Sequence, residues 1–202
     1  MPVRRTCDER IQPARALQEQ ACDDGEMDLL DPARRVIADA VRSRVVGPDP
    51  DTRARELFEA PGERWFSDAR PIKIVHADTS MFIGGLRALL LQSLHPLAMA
   101  GVAHHSDFKS DPWGRLQRTA DFLAATTFGP ADEAQRAVDM VRSVHTRVRG
   151  VARDGRSYEA NDPHLLKWVH LAEMDSFLAA HDRFGQVALS ADQRDGYVED
   201  MA

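Results

Sequence analysis

The stretch that decides the fold is TSMFIGGLRALLLQSLHPLAMAGVAHHS at residues 79–106, followed by DPWGRLQRT at 111–119 and PADEAQRAVDMVRSVHTRVRG at 130–150. In all three segments apolar residues recur at offsets of three, four and seven, which places their side chains on one face of a helix. The segments therefore predict three consecutive helices. Pro96 is expected to kink the first helix at the turn before it.

A few polar side chains interrupt these apolar helix faces. Arg115 and Thr119 share one face of the second segment, and His145 lies on a valine-rich stripe of the third, with Arg149 expected one turn further on. Arginine and histidine in this setting indicate either a hydrogen-bonded network inside the core or a pocket that holds a cofactor. The spacing by itself leaves both interpretations open.

The overall composition is that of one globular domain. The chain has 202 residues, of which 43% are hydrophobic and 29% are charged, and Ala, Leu and Arg are abundant, as is typical of helical proteins. The net charge is −6. Because the sequence also has no basic face with interleaved aromatic residues, we expect no nucleic-acid partner.

Two segments bear on location. The N-terminal residues have no apolar run of the kind that directs secretion, so the expected location is the cytoplasm. The run Met81–Ala103 is long enough to span a bilayer, but Arg87 lies near its middle. A central arginine costs at least about 2.5 kcal/mol on insertion scales. We therefore interpret the run as a buried core helix and expect no membrane contact.

Proline, glycine and capping residues divide the rest of the chain. Residues 1–27 show no periodicity and are predicted to form a flexible tail, so the folded domain is predicted to span residues 28–202. Helices are expected to begin at Asp31–Pro32, Asp111–Pro112 and Asp162–Pro163, because aspartate caps helices and proline suits their first position. Ser190 is expected to cap a final helix.

The connecting segments carry weaker patterns. A short helix is expected at residues 51–60, and Trp65 and Phe66 are expected to anchor the connection that follows it. A short extended piece is expected at Ile72–Val75. Gly150 is expected to end the third helix, and residues 151–161 are predicted to form a turn-rich linker. Because no alternating run is long enough for a sheet, the predicted fold is all-α, a single helical bundle domain.

The histidines offer a second chemical interpretation. His104 and His105 precede Asp107 in the loop after the first long helix, and His170 and Glu173 lie one turn apart on a later apolar helix. Histidines with nearby carboxylates can bind a metal ion, although this arrangement has no recurring ligand spacing. A non-haem metal protein using His95, His104, His105 and His170 therefore remains an alternative.

Taken together, the motifs resemble the family of MpaB-type oxygenases and latex-clearing rubber oxygenases, first catalogued as a domain of unknown function. The resemblance covers roughly Asp31 to the C-terminus and rests on motifs in the family's order: GGLRALLLQSLHPLAMAGVAHHSDF, DPWGRLQRTADFLAATTFG, VRSVHTRVRG and YEANDPHLLKWVHLAEMDSFL. It implies a haem b protein with an all-α, globin-reminiscent core. It also implies that an apolar small molecule and O2 are the partners.

The resemblance also assigns residues. The family's H-x-x-x-R motif, which carries the proximal haem ligand, matches His145 and Arg149, and its R-x-x-x-T pair in the haem pocket matches Arg115 and Thr119. The implied reaction is O2-dependent oxidation of an apolar, isoprenoid-like or small organic substrate, including cleavage of a C=C bond. The alternative to an enzyme is a haem-binding or sensory module without turnover.

The sequence departs from the family pattern in three ways. Arg118 occupies the position of a lysine that serves as a distal ligand in the rubber enzymes, and a guanidinium that stays protonated does not ligate iron. The helix at residues 79–102 has no carboxylate to match the base proposed in those enzymes. Family domains continue through several more helices, so the C-terminal part of the domain is expected to be incomplete here. The sequence does not indicate an oligomeric state.

Overall fold

A computed structural model describes residues 36, 40, 43–45, 47 and 49–202. The predicted tail at residues 1–27 and the predicted helix start at Asp31–Pro32 lie outside the described residues. The boundary predicted at residue 28 therefore stays a prediction. Residues 42–202 form one compact unit.

The described residues are predominantly helical, which confirms the predicted all-α class. The elements in chain order are α1 (Pro50–Phe58), α2 (Pro71–Ala77), α3 (Ser80–Ser93), α4 (Pro96–His105), α5 (Pro112–Phe128), α6 (Ala131–His145), β1 (Arg149–Val151), β2 (Ser157–Glu159), α7 (Pro163–Phe184) and α8 (Ala191–Met201).

The helix starts follow the capping chemistry of the sequence. Asp111 accepts a hydrogen bond from the backbone N–H of Gly114 at 2.8 Å, and Asp162 accepts one from His164 at 2.7 Å. In both helices proline occupies the first turn, where the missing N–H costs nothing. Ser190 and Gln193 form a reciprocal capping box at the start of α8. These three predicted starts are confirmed.

Two predictions about the first half of the chain are wrong. Ile72–Val75, predicted to be extended, lies inside α2, because Ile72 and Val75 pack into the core and Pro71 opens the helix. The first long helix is divided rather than kinked. His95 is extended (φ −91°, ψ 112°) and its Nδ1 accepts from the Ala98 N–H, so that α4 starts anew at Pro96.

The segment after α6 is also different from the prediction. α6 ends at His145, and Gly150 does not cap it but lies in β1, which pairs with β2 in an antiparallel hairpin. Tyr158 of β2 is buried, and a Cβ on Gly150 would lie 2.6 Å from the Tyr158 hydroxyl. The predicted linker thus contains a small sheet whose three-residue strands are too short to show an alternation.

The main core lies between α2, α7 and α8. Its buried members are Ile72, Val75, Phe177, Leu189 and Tyr197. Phe66 packs against this cluster, whereas Trp65 is 44% exposed, so the predicted anchoring role holds for Phe66 alone. α3 packs along α7, and α5 packs against α6.

The end of α8 is fastened to the start of α2. The carboxylate of Asp200, which is 2% exposed, accepts from the backbone N–H of Ile72 at 3.1 Å and forms an ion pair with Arg70. Asp200 therefore satisfies a backbone donor at the N-terminus of α2, where a helix has unpaired N–H groups.

No single helix in the described part of the chain combines the length and the apolar character needed to cross a membrane. α2 and α3 meet those criteria only as a pair, and a 90° bend separates them.

Candidate functional site

Arg115 lies in the first turns of α5, where it joins three segments of the chain. Its Nη1 donates to the hydroxyl of Ser106 at 3.0 Å, and its Nη2 donates to the side-chain oxygen of Gln92 at 3.2 Å. Both acceptors are neutral, and no described carboxylate forms an ion pair with it. Burial, and secondarily the charge of Arg118, lower the pKa of Arg115. The site therefore contains a partly desolvated cation that has no counter-charge among the residues that the structure describes.

Thr119 follows Arg115 by one helical turn and is half-buried. Its hydroxyl donates to the carbonyl oxygen of Arg115 at 3.1 Å. This bond fixes the hydroxyl hydrogen on the helix, so the oxygen still has lone pairs that can accept a hydrogen bond. The structure thus places both predicted residues on one face of α5.

His145 is the last residue of α6 and is half-buried. Burial lowers the pKa of its imidazole, which favours the neutral form at pH 7. Within the described residues, neither ring nitrogen makes a hydrogen bond or an ion pair. Val141 and Val148 are also half-buried, whereas Val144 is 43% exposed. The valine-rich stripe of α6 is therefore only partly buried near the histidine.

Arg149 does not occupy the helical position that the H-x-x-x-R spacing predicted. It begins β1, four residues beyond the end of α6, and its side chain is exposed. Its carbonyl oxygen accepts from Nε2 of His105 at 3.2 Å, which connects the end of α4 to the strand after His145. The prediction that Arg149 shares a helix face with His145 is wrong, because α6 ends before it.

The elements that carry these residues are in contact with one another. Arg115 is held by Gln92 of α3 and by Ser106 directly after α4, and α5 packs against α6, which ends in His145. α4 also packs against the hairpin that contains Arg149. Among the described residues, a protonated arginine without a counter-charge and a neutral histidine without a hydrogen-bond partner thus lie on adjacent packed helices.

The family model for "ER-bound oxygenase mpaB/B'/Rubber oxygenase, catalytic domain" matches residues 72–202. This match covers more than half of the chain. The chain belongs to this oxygenase family. The predicted resemblance is thereby confirmed, over a range that begins at Ile72 rather than at Asp31. No curated protein and no solved structure was found to match.

The matched oxygenase domain contains all four predicted site residues, Arg115, Thr119, His145 and Arg149. The family match does not itself assign their roles, so the ligand and pocket assignments stay predictions. Arg118, the residue in place of the rubber-enzyme lysine, is exposed and its Nη1 lies 3.8 Å from Oδ2 of Asp111. In this oxygenase the side chain that replaces the lysine therefore pairs with a carboxylate at the surface.

The histidines of the non-haem alternative are bound to other partners. Nδ1 of His104 lies 2.8 Å from the hydroxyl of Tyr158, and His105 bonds the Arg149 carbonyl. His95 caps α4, and His170 bonds the carbonyl of Met201 rather than Glu173. The described residues contain no cluster of three or more His, Cys, Asp or Glu that could hold a metal ion. They give the non-haem alternative no support.

A buried polar network that the sequence did not reveal connects α2, α5 and α8. Nδ1 of His76 lies 2.8 Å from Oγ1 of Thr127, and its Nε2 lies 3.4 Å from the hydroxyl of Tyr197. Burial lowers the pKa of His76 to about 3, so this imidazole is neutral.

Glu173 lies near this network without an ionic partner among the described residues. Burial raises the pKa of Glu173 to about 7, and burial together with the charge of Glu173 raises the pKa of Tyr197. The sequence signal was slight: Glu173 is a carboxylate between Ala172 and Met174 on an apolar helix. Nothing in the sequence brought His76 and Thr127 together.

Proposed function

We propose that this protein is a haem b-dependent oxygenase that uses O2 to oxidise an apolar, isoprenoid-like or small organic substrate, with cleavage of a C=C bond as the implied form of the reaction. Family membership supports the oxygenase class. The observation that supports the haem assignment is the arrangement of Arg115 and His145 on adjacent packed helices. Within the part of the chain that the structure describes, the Arg115 cation bonds neutral acceptors alone and the neutral His145 imidazole has no hydrogen-bond partner.

The chemistry of these residues fits a haem group. An axial histidine must be neutral and must keep one ring nitrogen free for iron, and both conditions hold for His145. Haem propionates are carboxylates, and arginine binds carboxylates through charge-assisted hydrogen bonds. Among the described residues the side-chain partners of the Arg115 guanidinium are Ser106 and Gln92, both neutral, so a propionate would supply a negative charge. Arg149, whose exposed guanidinium forms no ion pair with a described residue, is a second candidate.

In this proposal the residues of the protein would position the haem group and exclude water from it. When bound, haem supplies the chemistry that activates O2. Arg115 would hold the group through a propionate, and the half-buried valines of α6 would limit the access of water to His145. The Thr119 oxygen can accept a hydrogen bond at the same face as Arg115.

The test is haem reconstitution of the purified chain, read from the Soret band and the ratio of haem to protein. His145→Ala should remain helical by circular dichroism and lose most of its haem. His164→Ala serves as the matched control, because His164 is exposed and only its backbone N–H is engaged. Full haem content in His145→Ala, or no uptake by the wild-type chain, contradicts the assignment.

Turnover needs a separate measurement. The reconstituted wild-type protein should consume O2 in the presence of an apolar alkene, and oxygenated or carbonyl products should appear by mass spectrometry. Stable haem uptake without any substrate-dependent O2 consumption would instead support the haem-binding or sensory module.

A further inference from the structure

α3 has a row of exposed large apolar side chains. The row consists of Phe82, Ile83, Leu86, Leu89, Leu90 and Leu94, which are between 37% and 72% exposed. Their spacing places them on one side of the helix. The other side carries the buried Gly84 and Ala88 and packs on α7. A helix that is apolar all round is normally covered on both sides.

α7 extends this surface. The two helices run antiparallel, because Arg87 contacts Asp175 whereas the ring of His95, further along the chain, lies 5.5 Å from the ring of Trp168. Trp168 and Leu171 are 42% and 43% exposed, and they flank the C-terminal half of α3. We call the six residues of the row together with Trp168 and Leu171 the α3–α7 face.

Arg87 and Asp175 form an ion pair at the edge of the α3–α7 face. Nη1 of Arg87 donates to Oδ2 of Asp175 at 2.6 Å and to the hydroxyl of Ser176 at 2.8 Å. The Arg87 and Asp175 side chains are 44% and 64% exposed, so both can still reach a further partner. The apolar face therefore has a cation and an anion side by side at its edge.

We propose that the α3–α7 face is the interface of a symmetric dimer of this chain. A two-fold axis brings identical surfaces together, so that the leucine row of one copy covers that of the other. The same axis can place Arg87 of each copy opposite Asp175 of the other, which makes the surface complementary to itself. The hydrocarbon core of a bilayer would have to desolvate this ion pair without offering a charge in return.

The size of the face suits this occupant. α3 has 14 residues, and at 1.5 Å per residue such a helix is about 21 Å long, whereas two packed helices are together about 20 Å wide. The α3–α7 face, taken as flat, then has an area of about 400 Å² per copy, or about 800 Å² for two copies. The uneven surface of the side chains adds to this value. With that addition the buried surface approaches the roughly 1,200 Å² at which stable interfaces begin.

The first experiment measures the molar mass of the full chain by sedimentation velocity over a wide range of concentrations. The wild-type chain should be a dimer. Leu90→Glu places a charge in the centre of the face and should raise the dissociation constant roughly 30-fold or more. Val198→Glu is the matched control, because Val198 is 40% exposed on α8, outside the face. It should leave the dissociation constant unchanged.

A charge exchange tests the arrangement directly. Arg87→Asp leaves two anions on each copy and Asp175→Arg leaves two cations, so each variant alone should be monomeric. In a mixture of the two variants every contact between copies pairs a cation with an anion, and a heterodimer should form. This pair of variants also decides the matter if Leu90→Glu proves unfolded by circular dichroism.

Three results would overturn the proposal. They are a wild-type chain that stays monomeric at all concentrations, a dimer that both Leu90→Glu and the single charge variants leave intact, and a charge-exchanged mixture that stays monomeric. A monomer that sediments with phosphatidylcholine vesicles would identify a lipid surface as the occupant instead. None of these measurements requires haem, so their outcome is independent of the proposed function.

Discussion

The hydroxyl of Tyr197 lies 3.4 Å from Nε2 of His76, inside a core where both residues are buried. This contact connects α8 to α2, and the other ring nitrogen of His76 continues the connection to Thr127 of α5. Three helices that are distant in the chain thus share one imidazole, which burial keeps neutral by lowering its pKa to about 3.

Removing the Tyr197 hydroxyl should therefore destabilise the fold. In Tyr197→Phe a buried ring nitrogen loses its partner, and we expect the free energy of unfolding to fall by about 1–3 kcal/mol. Tyr158→Phe is the matched comparison, because the hydroxyl of Tyr158 contacts His104, which is exposed and can bond water instead. Its loss should be about 0.5–1 kcal/mol in the same denaturant titration. Equal losses would mean that the buried hydrogen bond of Tyr197 stabilises the fold no more than the contact of Tyr158 with the exposed His104.

Glu173 should make stability depend on pH. Its pKa is about 7 in the folded protein and near 4.5 in the unfolded chain, so between these values the folded state binds more protons. Stability therefore falls as pH rises from 4.5 and levels off above 7, by roughly 3 kcal/mol in total. Glu173→Gln should remove this slope and be more stable than wild type at pH 8.

The control for this pH experiment is Glu59→Gln, a substitution of an exposed carboxylate at the end of α1. Its denaturation midpoints at pH 5 and pH 8 should follow those of the wild type. If Glu173→Gln keeps the wild-type slope, the carboxyl is not desolvated in the folded protein.

Arg115 should contribute more to haem retention than Thr119. Replacing Arg115 by alanine removes a charge-assisted bond to a propionate, which costs about 1.5–3 kcal/mol, or roughly 10- to 100-fold in the dissociation constant for haem. Thr119→Ala should weaken binding less, and Arg136→Ala, which disrupts only an exposed pair with Asp132, should have no effect. Haem titration followed by the Soret band gives all three constants. Identical constants for wild type and Arg115→Ala would place Arg115 outside the pocket.

Two adjacent glycines of α3 should respond oppositely to alanine. A Cβ on Gly84 would lie 2.9 Å from Cα of Phe177 and 3.0 Å from the carbonyl of Ser176, so α3 and α7 would have to separate. Gly84→Ala should thus cost about 1–3 kcal/mol. A Cβ on Gly85 has only an ordinary contact at 3.9 Å, and Gly85→Ala should be neutral or stabilising by up to about 1 kcal/mol. Thermal unfolding of both variants measures the difference.

The sequence predicted those parts of the fold whose causes are local. The side chains of Asp111, Asp162 and Ser190 cap their helices by bonding backbone N–H groups at most three residues away. The family motifs can be recognised from their order in the sequence alone. Pro96 correctly predicted that the helix is interrupted at this point. Whether the helix kinks or a new helix begins depends on His95, which caps the next helix. The mistakes have another origin. Ile72–Val75 forms a helix because of what it packs against, and the hairpin depends on the space that Gly150 leaves for Tyr158.

The candidate site divides in the same way. Arg115 and Thr119 share a helix face as the i, i+4 spacing requires. Arg149 does not share one with His145, because the spacing rule applies only while the helix continues and α6 ends at the histidine. The desolvation of Glu173 and the neutral state of His76 depend on contacts between distant helices, which no local pattern encodes.

The carboxylate of Asp200 caps α2 across 128 positions of the chain. A ribosome synthesises Ile72 long before Asp200, so during translation the first helix of the oxygenase domain lacks the group that satisfies its N-terminus. Contacts of such long sequence separation close late and slow folding, because the loop entropy must be lost before the contact forms. The nascent domain should accordingly remain sensitive to protease until the segment around Asp200 has emerged.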